Sequence, residues 1–381
     1  MTRDEEENMT TNIFSENKAL MEKEYAERKV VLSSYPTILN LPVSERCNLK
    51  CFMCPVSVDT DAFRIYLAPQ AYRKIEALYP YLELLELDGA EAFTVKEGTG
   101  HIVDSIIEAS QRYPDMKLAA LTNGQLIGEK RAEAIVNKFG ILNISIDTPD
   151  PVVYGSIRIG GRLDTLINNI ARINQLKKDM GRSRFDPPKL QFSALIMERT
   201  YRDLPKLVRL IAELGGIHFS FQALRKEVPD AYWEGFKTEH IFEDRKKVEE
   251  YLSIVNEAKK TASELGITTI DRTRSYVRMF WPDLATDEIA DKKTAAAKNE
   301  ARPSIPVCKF AYRNIFIWPR SDVTFSCCSK RVIGDINKQT IEEIRNSHAA
   351  IDERKRFIAG DYENCNINCQ MSYPFAGKSI K

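Results

Sequence analysis

Short apolar runs alternate with longer amphipathic segments between about residues 37 and 240, and this alternation restricts the fold more than any other feature. The runs are rich in large and β-branched apolar residues, whereas the segments between them have helical periodicity. Because parallel neighbouring strands need a helical crossover, six such repeats predict an α/β fold with a parallel sheet, either partly closed into a barrel or open and doubly wound. The predicted strands are residues 38–44, 82–88, 117–122, 141–147, 189–196 and 217–222.

Composition and pattern divide the 381 residues into four segments. A polar, charge-rich extension precedes the repeats, and an amphipathic helix with a proline-containing linker follows them. The last segment predicts a hairpin, a helix and a tail that carries cysteines, so we expect a small α+β domain there. The predicted bounds are 1–36 for the N-terminal extension, 37–240 for the barrel core, 241–305 for the helix and linker, and 306–381 for the C-terminal domain.

The charge balance gives no sign of a nucleic-acid or membrane partner. The chain has 55 basic and 54 acidic residues, a formal net charge of +1, so no global field attracts polyanions. No stretch approaches the roughly 20 apolar residues that span a bilayer, and the acidic start MTRDEEEN is unlike a signal peptide. We therefore expect a cytoplasmic protein, in which eight cysteines favour metal or redox chemistry over disulfides.

Three of the eight cysteines lie within eight positions, in the stretch SERCNLKCFMCP. Cys47, Cys51 and Cys54 are separated by three and two residues. Thiolates from one short loop can each bind one iron of a 4Fe-4S cluster, and three ligands leave the fourth iron open to an external group, as in catalytic metal sites. Structural zinc is the alternative, although zinc ligands usually come as two separated pairs. The loop follows the first strand, at the end where α/β barrels carry reactive groups.

The motif Cys47-x3-Cys51-x2-Cys54 resembles the radical S-adenosylmethionine (radical SAM) superfamily. The resemblance implies a partial (β/α)6 TIM-type barrel in which these cysteines hold a 4Fe-4S cluster, while the amino and carboxylate groups of SAM bind the fourth iron. It also implies that an electron from the cluster cleaves SAM to methionine and a 5′-deoxyadenosyl radical, which abstracts hydrogen from the substrate. Met53, just before the third cysteine, is expected to contact the adenine.

The turn after the second strand is similar to a SAM-binding turn of the same family. The family usually has Gly-Gly-Glu-Pro where this chain has Gly89-Ala90-Glu91-Ala92 after Asp88. Gly89 and Glu91 match, whereas Ala90 and Ala92 depart from the pattern. The resemblance implies that backbone oxygens of this turn bind the SAM ammonium, a role that tolerates changed side chains.

Polar residues at the ends of the third and fourth predicted strands also match the family pattern. Asn123 lies in a Thr-Asn-Gly turn after the third strand, and Ser145 ends the fourth. The resemblance implies that Ser145 reaches the ribose and that Arg158 binds the SAM carboxylate, with which a guanidinium pairs bidentately. Each of the three is as readily an ordinary turn or surface residue. Their order at successive strand ends favours a SAM site.

The C-terminal cysteines resemble the Twitch or truncated SPASM appendage of some radical SAM enzymes. The resemblance implies an auxiliary 4Fe-4S cluster held by a cysteine before a hairpin, one after it and a closing pair. We assign these places to Cys308, Cys327, Cys365 and Cys369. The closing pair has three intervening residues rather than the commoner two, and a zinc ion on the same thiolates is the alternative.

Two adjacent cysteines compete for the place after the hairpin. Cys327 is preferred because it keeps the family's offset from the turn at Asp322. Cys328 is then a spare thiol, either a buried bystander or a hydrogen-atom donor to a substrate radical.

Together these features predict a radical SAM oxidoreductase of the dehydrogenase type. A closed auxiliary cluster is most useful where a substrate radical must give up an electron, as when an alcohol becomes a ketone. The expected partners are a sugar- or cyclitol-like small molecule, or a peptide, and a flavodoxin- or ferredoxin-type reductant. Open alternatives are a redox-neutral sugar epimerase or dehydratase, an enzyme that modifies a ribosomal peptide, and a zinc or iron–sulfur scaffold protein.

Overall fold

The computed structural model describes residues 3–57, 64–94, 102–224, 230–285 and 307–365, and the strands within them form one ten-stranded sheet. Its order is β10-β9-β8-β1-β2-β3-β4-β5-β6-β7. Strands β1 to β7 are parallel to their neighbours. The strands are β1 (Ile38–Ser44), β2 (Leu84–Gly89), β3 (Lys117–Thr122), β4 (Phe139–Ser145), β5 (Lys189–Ile196), β6 (His218–Ala223), β7 (Thr268–Asp271), β8 (Asn314–Ile317), β9 (Asp322–Thr324) and β10 (Gly334–Asp335).

Helices connect the parallel strands and flank the sheet. No helix in the described ranges is both long and apolar enough to cross a membrane. The helices are α1 (Arg3–Ala26), α2 (Pro69–Glu76), α3 (Ile102–Ser110), α4 (Glu129–Lys138), α5 (Pro151–Ile157), α6 (Leu163–Asp179), α7 (Leu204–Glu213), α8 (Asp230–Phe236), α9 (Arg245–Glu264), α10 (Arg274–Phe280), α11 (Phe310–Arg313), α12 (Ile341–Arg345) and α13 (His348–Ile358).

The α/β class and the parallel sheet are confirmed. The predicted strand bounds coincide with β1, β3 and β5 and lie within two residues of β2, β4 and β6. Among the described strands the order runs sequentially from β1 to β7, as in a partial barrel, rather than reversing as in a doubly wound sheet. Strand β7 was not predicted, because four residues are too few to establish an alternating pattern.

Several central strands have one apolar and one polar face. Leu39, Leu85 and Phe192 are fully buried in the core between the sheet and the helices. Parallel strands covered on both faces read as continuous apolar runs, whereas polar residues alternate with apolar ones along β2, β5 and β6. We call the inner face of the sheet the lumen and define it by Asn40, Glu86, Asp88, Asn143, Gln191 and Ser193.

The predicted C-terminal hairpin is present and extends the barrel sheet. β8 pairs in parallel with β1, so that Phe316 lies beside Asn40. β9 is antiparallel to β8, and β10 is antiparallel to β9. The hairpin therefore lies at the edge of the barrel next to the first strand, while the predicted domain boundary at residue 306 stays a prediction.

The C-terminal helix predicted as one element over residues 340–360 is two helices. Thr340 and Glu343 form a capping box at the start of α12. The Ser347 side chain accepts a hydrogen bond of 3.1 Å from the amide of Ala350 and so begins α13. A serine that caps a new helix start competes with helix continuation, which explains the break.

A buried ionic network joins the N-terminal extension to the C-terminal helices. The Glu24 carboxylate is 1% exposed and accepts a hydrogen bond of 2.6 Å from the Ser34 hydroxyl. Arg345 donates to the same hydroxyl at 3.3 Å, and Arg354 donates to the Val30 carbonyl at 2.9 Å. Burial lowers the pKa of Arg345 to about 9 and that of Arg354 to about 10, and the Glu24 charge opposes both shifts.

We expect Glu24→Ala to lower the free energy of unfolding by about 1–3 kcal/mol, because it removes the buried acceptor of the Ser34 hydroxyl and the charge that opposes the burial of two guanidinium groups. Glu27→Ala is the matched control on the same segment. Its side chain is 43% exposed, so we expect a change within about 0.5 kcal/mol. Anaerobic urea unfolding of both variants measures the difference, and equal midpoints would contradict the proposed network.

Candidate active site

Backbone hydrogen bonds hold the cysteine loop against the segment that follows α5. The amide of Lys50 donates to the Ile159 carbonyl at 2.9 Å, and the amide of Phe52 donates to the Ile157 carbonyl at 3.2 Å. This pairing brings the intervening Arg158 beside Cys51, where its charge acts on the thiol. Main-chain hydrogen bonds therefore help to hold the loop in position.

The three loop thiols have an environment suited to iron. Cys51 is buried, and burial raises the pKa of its thiol to about 11 while Arg158 opposes the shift. Burial also raises the pKa of Cys47, whose sulfur accepts from the Leu49 amide at 3.3 Å. Amide donors of this kind stabilise a thiolate. Iron binding must displace these thiol protons, and three soft sulfur donors on one loop fit a cluster that takes one ligand per iron.

The described residues contain no three His, Cys, Asp or Glu side chains close enough together to hold a single metal ion.

Glu91 ties the turn after β2 to the turn after β3. Its carboxylate is 2% exposed and accepts hydrogen bonds of 2.7 Å from the Thr122 hydroxyl and from the Asn123 amide. Burial raises its pKa. The Asn123 side chain donates to the Cys47 sulfur at 3.6 Å and to the Asn48 side chain at 2.9 Å. Glu91 thus positions the turn that reaches the cysteine loop.

Gly89 occupies a conformation that other residues rarely adopt. Its φ is +129°, and a Cβ atom on it would lie 2.3 Å from the Ser44 carbonyl oxygen. The next amide, that of Ala90, donates to the same oxygen at 3.0 Å. The turn predicted to bind the SAM ammonium is therefore packed directly on the last residue of β1.

Arg158 forms a buried ion pair with Asp147. The Arg158 Nη2 and Asp147 Oδ2 atoms are 2.9 Å apart, and Asp147 also accepts from the Leu195 amide at 2.9 Å. Although burial lowers the pKa of Arg158, Asp147 raises it above its usual range. The buried Arg158 Nε has no hydrogen-bond partner among the described residues, so this N–H donor is left unsatisfied by the protein. Ser145 lies two residues before Asp147, at the end of β4.

Met53 lies in an apolar cluster that sequence patterns did not reveal. Together with Phe52 it packs against Met197 and Phe236, which follow β5 and end α8. The Arg199 guanidinium lies 5.0 Å from the centre of the Phe52 ring and bonds to the Glu239 carboxylate. Met53, Met197 and Phe236 belong to different connections between strands. The sequence shows only that Met53 and Met197 are apolar residues in the loops that follow β1 and β5.

Two carboxylates in the lumen were also missed. Asn40 donates a short hydrogen bond to Glu86, and Asp88 lies two residues further along β2. Burial raises the pKa of both carboxyl groups. The signal available in the sequence was the alternation in LELLELD, which places polar side chains on one face of a strand.

Cys308 and Cys365 both lie close enough to Tyr362 to influence its hydroxyl. Burial, together with the negative charges of these two thiolates, raises the pKa of Tyr362 to about 12. Cys365 also forms a backbone bridge with Ser329, directly after the Cys327–Cys328 pair. The predicted ligand Cys369 lies outside the described residues, as does most of the predicted linker.

Residues 41–183 match the radical SAM superfamily. The chain is 27% identical over 202 residues to a probable GTP 3′,8-cyclase of Methanocaldococcus jannaschii, covering 51% of this chain and 62% of that protein. A probable GTP 3′,8-cyclase of Methanococcus maripaludis is 24% identical over 180 residues, covering 46% and 55%. The chain thus spans about three-fifths or less of the length of these relatives.

Solved structures share the fold at low sequence identity. SuiB of Streptococcus suis bound to S-adenosylmethionine aligns with a TM-score of 0.56 and 17% identity, covering 88% of this chain and 71% of that one. Native anSMEcpe with bound AdoMet aligns with a TM-score of 0.51 and 15% identity, covering 83% and 81%. At these identities the likeness concerns the fold alone.

A parallel partial barrel with a three-cysteine loop after β1 is the arrangement expected of the radical SAM fold. Residues 41–183 match the radical SAM superfamily, so the predicted resemblance to that family is confirmed for this segment. Enzymes of this family use SAM and a 4Fe-4S cluster. The residue roles within the site stay predictions.

We expect Gly89→Ala to destabilise the fold by at least about 2 kcal/mol and to abolish SAM binding, because the new Cβ forces the turn away from Ser44. The matched control is Gly128→Ala, since nothing lies within 4 Å of its Cβ position. Urea unfolding and calorimetric titration of the reconstituted proteins with SAM measure both effects. Wild-type affinity in the Gly89 variant would contradict the expectation.

We expect Arg158→Lys to weaken SAM binding about tenfold without loss of iron, because a lysine keeps the charge opposite Asp147 but lacks the planar guanidinium and its unpaired Nε donor. Arg162→Lys is the control, since that side chain is 74% exposed and pairs with Asp164 at the surface. The two dissociation constants and the iron content per chain are to be compared. Equal affinities would rule out Arg158 as a carboxylate ligand.

Proposed function

We propose that this chain is a radical SAM enzyme that oxidises a small polar substrate of the sugar or cyclitol type. The observation that carries the SAM chemistry is the loop of Cys47, Cys51 and Cys54, held by backbone hydrogen bonds against the segment of Arg158. When bound, the cluster supplies the electron that cleaves SAM and so generates the radical that abstracts hydrogen.

Within this proposal the chain's own residues hold SAM in place. The three loop cysteines bind the cluster, and the Arg158 fork receives the SAM carboxylate while Asp147 fixes its orientation. The apolar cluster around Met53 receives the adenine, since Met and aromatic side chains pack well on planar rings. Gly89 and Ala90 present the backbone to the ammonium group, and Ser145 reaches the ribose.

The polar lumen supports a hydroxylated substrate. Hydroxyl groups donate hydrogen bonds, and the carboxylates of Glu86 and Asp88 accept them. Oxidation of an alcohol carbon would balance if its hydrogen atom went to the 5′-deoxyadenosyl radical, the hydroxyl proton to a carboxylate of the lumen and one electron to the auxiliary cluster that the C-terminal cysteines would hold.

We further propose that the C-terminal cysteines hold this auxiliary 4Fe-4S cluster. Cys308, Cys365 and Cys369 supply three ligands, and one thiol of the Cys327–Cys328 pair supplies the fourth. The shared influence of Cys308 and Cys365 on Tyr362 supports their proximity. Four protein ligands leave no open iron, so this cluster transfers electrons, and a flavodoxin or ferredoxin supplies those that cleave SAM.

Two other substrates are suggested by the similar proteins. The relatives are named as probable GTP 3′,8-cyclases, but a triphosphate would face the lumen carboxylates, and like charges repel in a low dielectric. SuiB has been solved with a precursor peptide, SuiA, which makes a peptide the second candidate. A redox-neutral epimerase or dehydratase would leave the oxidation state of the product unchanged.

We expect the anaerobically reconstituted full chain to hold about eight iron atoms, enough for two cubanes, and to form 5′-deoxyadenosine from SAM and dithionite. Cys51→Ala should keep about four iron atoms and form none, because only the loop cluster is lost. Zinc in place of iron, or no 5′-deoxyadenosine from the wild type, would contradict the SAM chemistry.

The substrate class is tested separately with myo-inositol, glucose, GTP and a cysteine-containing peptide. A product that has lost two hydrogens from one of the polyols supports the proposal. Oxidation or cyclisation of GTP or the peptide alone would overturn the substrate class and leave the SAM chemistry intact.

A further inference from the structure

The chain returns to the start of the cysteine loop before α2 begins. The amide of Ile65 donates a hydrogen bond of 2.8 Å to the Glu45 carboxylate, and Glu45 lies two residues before Cys47. The segment from Glu45 to Ile65 is therefore closed at its neck by this contact, and all three loop cysteines lie within it. Residues 58–63 of this segment lie outside the described residues.

Residues 64–68, which we call the return segment, have no regular secondary structure, so their main-chain groups need partners from elsewhere. The C-terminal hairpin and the turn after β10 supply them. The Tyr66 amide donates to the Pro319 carbonyl at 2.7 Å. The Asn337 side chain bonds in both directions, because its Nδ2 donates to the Tyr66 carbonyl and its Oδ1 accepts from the Ala68 amide, each at 2.8 Å.

The side chain of Asn337 is itself held in place. Its backbone amide donates to the Asp335 carboxylate at 2.9 Å, as in an Asx turn. Lys74 of α2 donates to the carbonyls of Ile336 and Gln339 at 2.8 and 2.7 Å. The turn after β10 is thus fixed by its own hydrogen bonds and by the helix that follows the return segment. A side chain held in this way loses little conformational entropy when it binds a partner.

We propose that Asn337 is a positioning residue for the cysteine loop. By holding the return segment at Tyr66 and Ala68, it keeps Ile65 against Glu45, so that the neck stays closed and the Cys51 thiol stays buried. The C-terminal part of the chain then shapes the site of the first cluster, in addition to the auxiliary cluster proposed above. That the loop thiols bind iron rests on the proposed function, whereas the hydrogen bonds to the return segment do not.

Asn346 provides a control with the same chemistry at another place. Its Oδ1 accepts from the Leu32 amide and its Nδ2 donates to the Leu32 carbonyl, each at 2.8 Å. Leu32 belongs to the N-terminal extension. Asn346→Ala therefore removes the same two kinds of hydrogen bond as Asn337→Ala, but leaves the partners of the return segment unchanged.

The first test measures by mass spectrometry how fast iodoacetamide labels Cys51 in the metal-free full chain. A buried thiol reacts when its surroundings open, so the labelling rate reports local opening. We expect Asn337→Ala to speed the labelling of Cys51 about tenfold, and Asn346→Ala to change it less than about twofold. An unchanged rate in Asn337→Ala, or equal acceleration in both variants, overturns the positioning role.

Asn337→Asp decides the same question if Asn337→Ala does not fold. An aspartate keeps the acceptor for the Ala68 amide but loses the donor to the Tyr66 carbonyl. We expect this variant to label Cys51 faster than the wild type does, and an unchanged rate overturns the proposal.

The second test follows the release of iron to a chelator from the anaerobically reconstituted full chain. About four of the roughly eight expected iron atoms should leave faster from Asn337→Ala than from Asn346→Ala, because only the loop of the first cluster is loosened. Equal release from the two variants overturns the role of Asn337 toward the cluster. A wild type that binds no iron contradicts the proposed function, and the labelling rates of Cys51 then still decide whether Asn337 holds the loop.

Discussion

The site depends on the backbone pairing between the cysteine loop and the segment that follows α5. Two amides of the loop, at Lys50 and Phe52, bond to carbonyls on either side of Arg158. This main-chain pairing holds the loop and places a guanidinium beside a buried thiol. The Asp147–Arg158 ion pair then joins this assembly to the end of β4. Loop, helix end and strand end are thus joined by direct contacts.

The alternation along the strands divides the barrel into an apolar exterior and a polar interior. Residues such as Leu85 pack under the helices, while their neighbours, such as Glu86, face the lumen. Apolar burial of the outer face stabilises the fold, so the inner face is free to carry groups that bind ligands. Raised carboxyl pKa values there follow from burial, which opposes charge in a low dielectric.

Both the N-terminal extension and the C-terminal hairpin are part of this fold. The N-terminal extension contributes Glu24 to a buried network with Arg345 and Arg354, and the C-terminal hairpin pairs with β1 in the barrel sheet. The chain that follows the hairpin consequently begins at the edge of the lumen. An auxiliary cluster held there would lie close to the substrate whose electron it accepts, which is the geometric requirement of the proposed oxidation.

The sequence by itself determined the parallel α/β class, the bounds of strands such as β1 and β3, and the radical SAM motif after the first strand. These are local features, because periodicity and ligand spacing are encoded by neighbouring residues. The tertiary structure alone decided that Glu91 fastens two turns and that Arg158 pairs with Asp147. Those partners are distant in sequence, and only strand register and crossover packing bring their side chains together.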